Sequence, residues 1–215
     1  MNLWADFLTN DQRMIHKWKH YFPAYERHFQ RFVYRPVVFW EIGCGKGGSL
    51  QMWKRYFGPH AQIIGLDIRA QCAPFEEDQI AIRIGDQSNA DFLDSVLAEF
   101  GTPDIVLDDG SHVMEHVVAT FRHLYPKLDR NGVYMVEDMH TAYWEKYGGG
   151  LRRAGTFIEL SKHLIDELNG RHARIETAFT KSTLSIHFYD SIVVFERGLH
   201  GGRKALRIPD PGSTR

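Results

Sequence analysis

Five short apolar runs, "VVFWEI" (37–42), "QIIGLDI" (62–68), "IAIRI" (80–84), "DIVLDD" (104–109) and "GVYMVED" (132–138), punctuate the chain up to residue 138. Each is rich in β-branched or aromatic residues and too short for a buried helix. Stretches of helix-like polarity separate them, so the pattern predicts βαβ units and a parallel sheet. Ahead of them Trp4, Phe7, Trp18, Tyr21, Phe22, Tyr25, Phe29 and Phe32 recur at helical spacings, which predicts amphipathic helices over residues 1–35. Arg27, Arg31 and Arg35 share one face there, read as solvated. After Thr156, "TFIELSKHLIDELNG" predicts a helix closed by Gly170 as its C′ residue. Three further strands are predicted at "RIETAFT", "LSIHFYD" and "SIVVFER", the last two joined so tightly at Tyr189-Asp190-Ser191 that a hairpin is expected. The parallel sheet thus ends in an antiparallel pair. "GGG" at 148–150 predicts a flexible loop, and residues 207–215 a flexible tail.

A length of 215 residues with 43% hydrophobic content suits one domain over 1–215. The net charge of −1 creates no field that would recruit nucleic acid or an anionic membrane. Cys44 and Cys72 have no zinc-site or disulfide spacing, which points to a reducing compartment. The first residues, "MNLWADFLTNDQRM", lack a basic region and are interrupted by Asp6, so no signal peptide is expected, and no run approaches the roughly 18 apolar residues of a membrane span. A cytoplasmic protein is expected.

Chemistry collects where the strands end. "EIGCGKGGS" places Gly43, Gly45, Gly47 and Gly48 between a strand and a helix, a turn that lets backbone approach a nucleotide-like ligand. Nicotinamide, flavin and S-adenosylmethionine (SAM) sites all use such turns. Glu41, just before it, would repel a pyrophosphate but suits the ammonium and sulfonium of SAM. Asp67 ends the second run where a carboxylate accepts ribose hydroxyls, and Asp86 and Gln87 end the third where polar groups reach an adenine edge. SAM is the favoured cofactor, with Ser49 and Asp108 added to its expected contacts. A nicotinamide oxidoreductase and a non-catalytic SAM-binding protein are the rivals.

"LDDGSH" and "VEDMH" end the fourth and fifth runs. Neighbouring strands lie about 5 Å apart, so the two acidic tips can converge, and crowded carboxylates need a cation. Hard oxygen ligands select Mg²⁺, Ca²⁺ or Mn²⁺. Asp109, Glu137 and Asp138 are therefore the expected metal ligands; His112 is open between general base, ligand and helix-start hydrogen bonder.

"KWKHYFPAYERHF", "EIGCGKGGSLQMWKRYFGPHAQIIGLDI", "DIVLDDGSHVMEHV" and "VYMVEDMHTAYW" resemble the metal- and SAM-dependent sugar O-methyltransferases of macrolide and polyketide antibiotic pathways, over roughly residues 15–145. The resemblance implies the class I SAM-methyltransferase fold, a Rossmann-like α/β sheet, with a short helical segment ahead of it here. It implies methyl transfer from SAM to a hydroxyl of a glycosylated natural product, Mg²⁺ at Asp109, Glu137 and Asp138, His112 as base, and Glu26 near the substrate. The mycinamicin-type proteins carry an additional N-terminal domain, so substrate choice and homo-oligomer formation stay open. Catechol-type and β-lactam-pathway O-methyltransferases are the nearest alternatives, since "cephalosporin hydroxylase" proteins resemble the same domain.

Overall fold

The computed structural model describes residues 2–201 and 205–206. The expected tail at 207–215 lies outside them. A seven-stranded sheet runs in the order β3-β2-β1-β4-β5-β7-β6. Its first five members, β1 Val38–Ile42, β2 Gln62–Asp67, β3 Ile80–Ile84, β4 Ile105–Asp108 and β5 Val133–Val136, are parallel neighbours, whereas β6 Thr183–Tyr189 and β7 Ile192–Arg197 form the antiparallel hairpin. The helices are α1 Leu3–Leu8, α2 Phe22–Phe29, α3 Gly48–Phe57, α4 Ala90–Phe100, α5 Met114–Leu124, α6 Phe157–Leu168, α7 Gly170–Ala173 and α8 Ala178–Ser182. None among the described residues is long and apolar enough to cross a membrane.

Strand alternation decides which residues meet. On one sheet face Phe39, Leu107 and Met135 pack with Trp53, Phe57, Tyr25 and Phe29. On the other, Trp40, Ile42, Val106, Tyr134 and Val136 pack with Phe121, Leu124 and Phe157. Extending the same period of two by one step places Glu41, Asp109 and Glu137 on the first face and Asp108 on the second. The residues before β1 cover the first face. Their close seat depends on Gly48, where a Cβ would stand 2.2 Å from the Met14 carbonyl oxygen.

Four expectations are corrected. Residues 9–18, inside the segment expected to be helical, form no helix. "RIETAFT" is not a strand: Thr177 and Thr180 exchange a capping box that starts α8 instead. Gly170 follows the α6 C-cap Asn169, the C′ place expected of it, but its φ is not positive and it opens α7, so no left-handed cap forms. Gly170 is required there because a Cβ would meet the Ile175 carbonyl oxygen at 2.4 Å. The 148–150 loop is tied down by backbone bonds from Gly149 N to Trp144 O and from Gly150 N to Ala142 O.

The terminal hairpin is clasped to α2 by Glu196, whose Oε1 lies 2.6 Å from His28 Nδ1 and whose Oε2 lies 3.3 Å from Arg31 Nη1. The His28 hydrogen bond, opposed by burial and helped by Arg31, holds the Glu196 carboxyl down at about 2. A carboxyl depressed in the folded state contributes stability above its unfolded pKa and loses it as pH falls through the folded one. The stability advantage of wild type over Glu196→Gln should therefore be full at pH 5 and vanish as pH falls from about 4.5 to about 2, measured by urea unfolding across that window. A constant difference at all pH values would refute the clasp.

Candidate functional site

The carboxyl ends of β1 to β5 open into a cavity of about 530 Å³. Gly43, Gly45, Ser49, Asp67, Asp86, Gln87, Asp109, His112, Glu137 and Asp138 all line it, so most of the residues expected from sequence share one chamber.

One half is the glycine turn. Gly43, Gly45 and Gly47 have φ of +87°, +55° and +71°, which only glycine adopts without strain. At Gly43 a Cβ would lie 2.1 Å from the Asp109 carbonyl oxygen, so this glycine also lets the β1 and β4 tips approach. Asp67 Oδ2 accepts from Gly45 N at 3.0 Å, and Oδ1 accepts from Arg69 N at 2.9 Å. The Arg69 guanidinium closes over both carboxylate oxygens at 3.0 Å. Burial pushes the Asp67 carboxyl up, but these donors outweigh it and hold it below its ordinary value.

The other half is acidic. His112 Nε2 lies 4.0 Å from Asp109 Oδ1 and 3.7 Å from Asp138 Oδ2. One donor atom from each of these three side chains falls within 4.8 Å of the others. His112 and Asp138 have φ of +58° and +54°, so both face the cavity from left-handed backbone, a cost that functional sites often carry. Asp109 does not cap α5, whose N-cap is Val113, and of backbone donors Ser111 Oγ accepts only from Val113 N at 3.2 Å. The helix-start alternative for the Asp pair therefore fails.

Sequence reasoning missed Lys17. Its buried ammonium lies 2.7 Å from Asp109 Oδ2, 2.9 Å from Glu137 Oε2 and 3.1 Å from Glu41 Oε1. The last is a charge contact off the line of the N–H bonds, since Glu41 Oε1 has no hydrogen-bond partner. Tyr25 OH donates to Glu137 Oε1 at 2.5 Å and Tyr21 OH to Asp138 Oδ1 at 2.6 Å. Burial alone would lower the Lys17 pKa, but Asp109, Glu137 and Glu41 hold it well above its ordinary value, so the ammonium is charged at neutral pH. Burial pushes Glu137 and Glu41 up, and Lys17 pulls each partly back. The signal in the sequence was the surplus of carboxylates, which calls for a cation without saying which.

Three expected site residues lie elsewhere. Glu41 is fully buried behind the wall, with Oε2 accepting from Ser49 Oγ at 2.6 Å. Asp108, on the opposite sheet face, accepts from Gln87 Nε2 at 3.1 Å and Gly110 N at 3.3 Å, and burial pushes its carboxyl up to about 7. Glu26 follows Tyr25 by one position and so points about 100° around α2, where Oε1 accepts from Leu3 N at 3.1 Å beside a separate small pocket. Gln87 lines the cavity but spends its amide on Asp108, Thr120 and the Ser111 N–H, bracing the β4 tip.

No family model matches the chain. It is similar to the mycinamicin VI 2''-O-methyltransferase of Micromonospora griseorubida, 39% identical over 197 residues that make up 83% of this chain and 48% of that protein. A tetracenomycin rhamnosyl 3'-O-methyltransferase of Streptomyces olivaceus is also 39% identical, over 84% of this chain and 50% of its own length. The chain thus spans about half the length of the curated relatives it matches. A solved methyltransferase of the mycinamycin pathway, in complex with Mg and SAH, superposes with a TM-score of 0.80 at 35% identity, over 92% of this chain and 54% of that one. A putative rRNA methylase from Clostridium thermocellum, 12% identical with a TM-score of 0.52 over 85% of this chain and all of that one, shares the fold alone. The fold is that of the class I SAM-dependent methyltransferases.

Removing the buried ammonium should leave three carboxylates crowded without compensation. Lys17→Met should destabilise the metal-free protein by about 3–5 kcal/mol in urea unfolding, the cost of breaking one side of a buried ion pair. A loss under about 1 kcal/mol would show that the carboxylates need no internal cation.

Proposed function

We propose that this chain, a relative in sequence and fold of the sugar O-methyltransferases of macrolide and polyketide antibiotic pathways, transfers a methyl group from SAM to a hydroxyl of a glycosylated natural product. The observation that carries the reading is the meeting of the glycine turn and the acidic tips with His112 in one chamber.

The Gly43–Gly47 turn and Asp67 would bind and orient the cofactor, Asp67 accepting from ribose hydroxyls at the oxygens that Arg69 engages here. Opposite them, Asp109 and Asp138 bring carboxylate oxygens together as a hard dication such as magnesium requires, and Glu137, whose oxygens Lys17 and Tyr25 engage, would complete the set by sharing one of them. Lys17 and Tyr25 restrain Glu137 while Tyr21 restrains Asp138, so the carboxylates hold their positions before anything binds. When bound, magnesium supplies the positive charge that makes a sugar hydroxyl acidic enough to attack. His112 Nε2, beside Asp109 and Asp138, would take the acceptor hydroxyl proton, and the bound cofactor would supply the methyl group with a neutral thioether as leaving group. Proximity and alignment supply most of the remaining rate.

Trp18, which lines the cavity, and Trp144 are each about half exposed at this end. The His140 ring bridges Trp18 and Trp144, with centroid distances of 6.1 and 4.8 Å, and Tyr147 stands 6.1 Å from His112. Such an aromatic rim suits the apolar ring system that carries the sugar.

Calorimetry should show SAM and SAH binding and no NADH binding. Labelled methyl transfer to rhamnosyl or deoxysugar macrolide and tetracenomycin acceptors should stop in EDTA and return with Mg²⁺. Tight NADH binding, or undiminished transfer by the stripped protein, would overturn the assignment.

His112→Ala separates the roles of the imidazole. As a general base it should cost about 10²- to 10⁴-fold in single-turnover rate with SAM and Mg²⁺ affinity kept. Lost Mg²⁺ affinity with rate recovered by excess metal would make it a ligand, and an unchanged rate would leave it a structural residue.

A further inference from the structure

Away from the cavity, α2, β6 and β7 bring His28, His187 and Glu196 together, with one donor atom from each within 4.8 Å of the others. We propose that these three side chains bind a transition-metal dication of the zinc class, water taking the fourth position, and that the ion fastens α2 to the terminal hairpin. The inference is independent of the methyl-transfer reading.

Two imidazoles and one carboxylate form a donor set that zinc accepts, in contrast to the oxygen-rich set at the strand tips. Each imidazole is already oriented through its outer nitrogen. His28 Nε2 lies 2.9 Å from Tyr189 OH, and His187 Nε2 lies 2.9 Å from Ser185 Oγ. Such outer partners hold the aim of a metal-binding imidazole, and a hydroxyl can serve either tautomer. The inner nitrogens remain for the ion. His28 Nδ1 faces Glu196 Oε1 at 2.6 Å, and His187 Nδ1 has no hydrogen-bond partner among the described residues. The two rings stand 4.6 Å apart at 64°, so they approach from different directions rather than stacking.

The fit requires the His28–Glu196 pair to open and the His187 donor to close from within 4.8 Å. Donors about 2.0–2.2 Å from a tetrahedral zinc stand roughly 3.3 Å from one another. His28 and Glu196 must therefore separate by several tenths of an ångström, and the ion replaces the proton they share. Arg31 holds Glu196 Oε2 at 3.3 Å, which keeps Oε1 turned toward His28. Arg27 is the opposing charge nearby. His28 is buried but His187 and Glu196 are partly exposed, so solvent reaches the site. Tyr25, one turn before His28 in α2, donates to Glu137, so an ion here also anchors the helix that steadies the acidic tips.

The test titrates the chelator-stripped full chain with Zn²⁺ under saturating Mg²⁺, followed by calorimetry, and repeats it with Co²⁺ for its visible absorption. One site is expected, with the strong bands of four-coordinate Co²⁺ and a raised melting temperature. His187→Ala, a partly exposed change that should leave the fold and SAM affinity intact, should weaken Zn²⁺ by about 10- to 100-fold and abolish the Co²⁺ bands. Glu196→Gln should do the same, which guards against a folding defect in either variant. Unchanged Zn²⁺ affinity in both variants, or affinity lost instead in Cys72→Ser or Asp109→Asn, would overturn the proposal and place the metal with Cys44 and Cys72 or at the strand tips.

Discussion

The structure depends on one ammonium group placed among three carboxylates. Glu41, Asp109 and Glu137 descend from three strands on one sheet face, and at that density they would repel one another or stay protonated. Lys17 contacts all three, so the sheet edge tolerates the density of acid its chemistry requires. Part of the aromatic face below, Tyr25 and Phe29, and the tyrosine hydroxyls beside it come from the same N-terminal stretch, which thereby covers the sheet and tunes its rim.

That arrangement divides the cavity. Lys17 engages the inner oxygens of Asp109 and Glu137, while Asp109 Oδ1 and Asp138 Oδ2 face His112. The internal cation serves the wall, and the open side is left to ligands. On the cofactor side Arg69 plays a comparable part over Asp67, but from an exposed position, so its hold is easily exchanged.

Much of this was legible in the sequence because it rests on period. The parallel strands, the hairpin, the glycine turn and the two acidic tips follow from alternation and from turn residues, and each tip residue needed only its position in the chain. The misplacements have physical causes. Asp108 and Asp109 look alike in sequence, yet one step along a strand sends the first into a buried network with Gln87. Glu26 and Tyr25 are neighbours, but one step along a helix separates them by about 100°. Thr177 and Thr180 look like strand formers and act as a cap. Lys17 lies in a stretch without periodic structure, and its three partners become neighbours only through the sheet, so no local pattern marks it.

The ion contacts of Lys17 also set an order of events. Its bonds to Asp109 and Glu137 span 92 and 120 positions of chain. Loops of that length close at an entropic cost that local structure does not repay, so the contacts form after the sheet has laid its strands side by side. During synthesis the lysine emerges well before the acids it will neutralise. Until they arrive, the aromatic stretch around it has no sheet face to cover, and the nascent chain carries exposed apolar surface for most of its length.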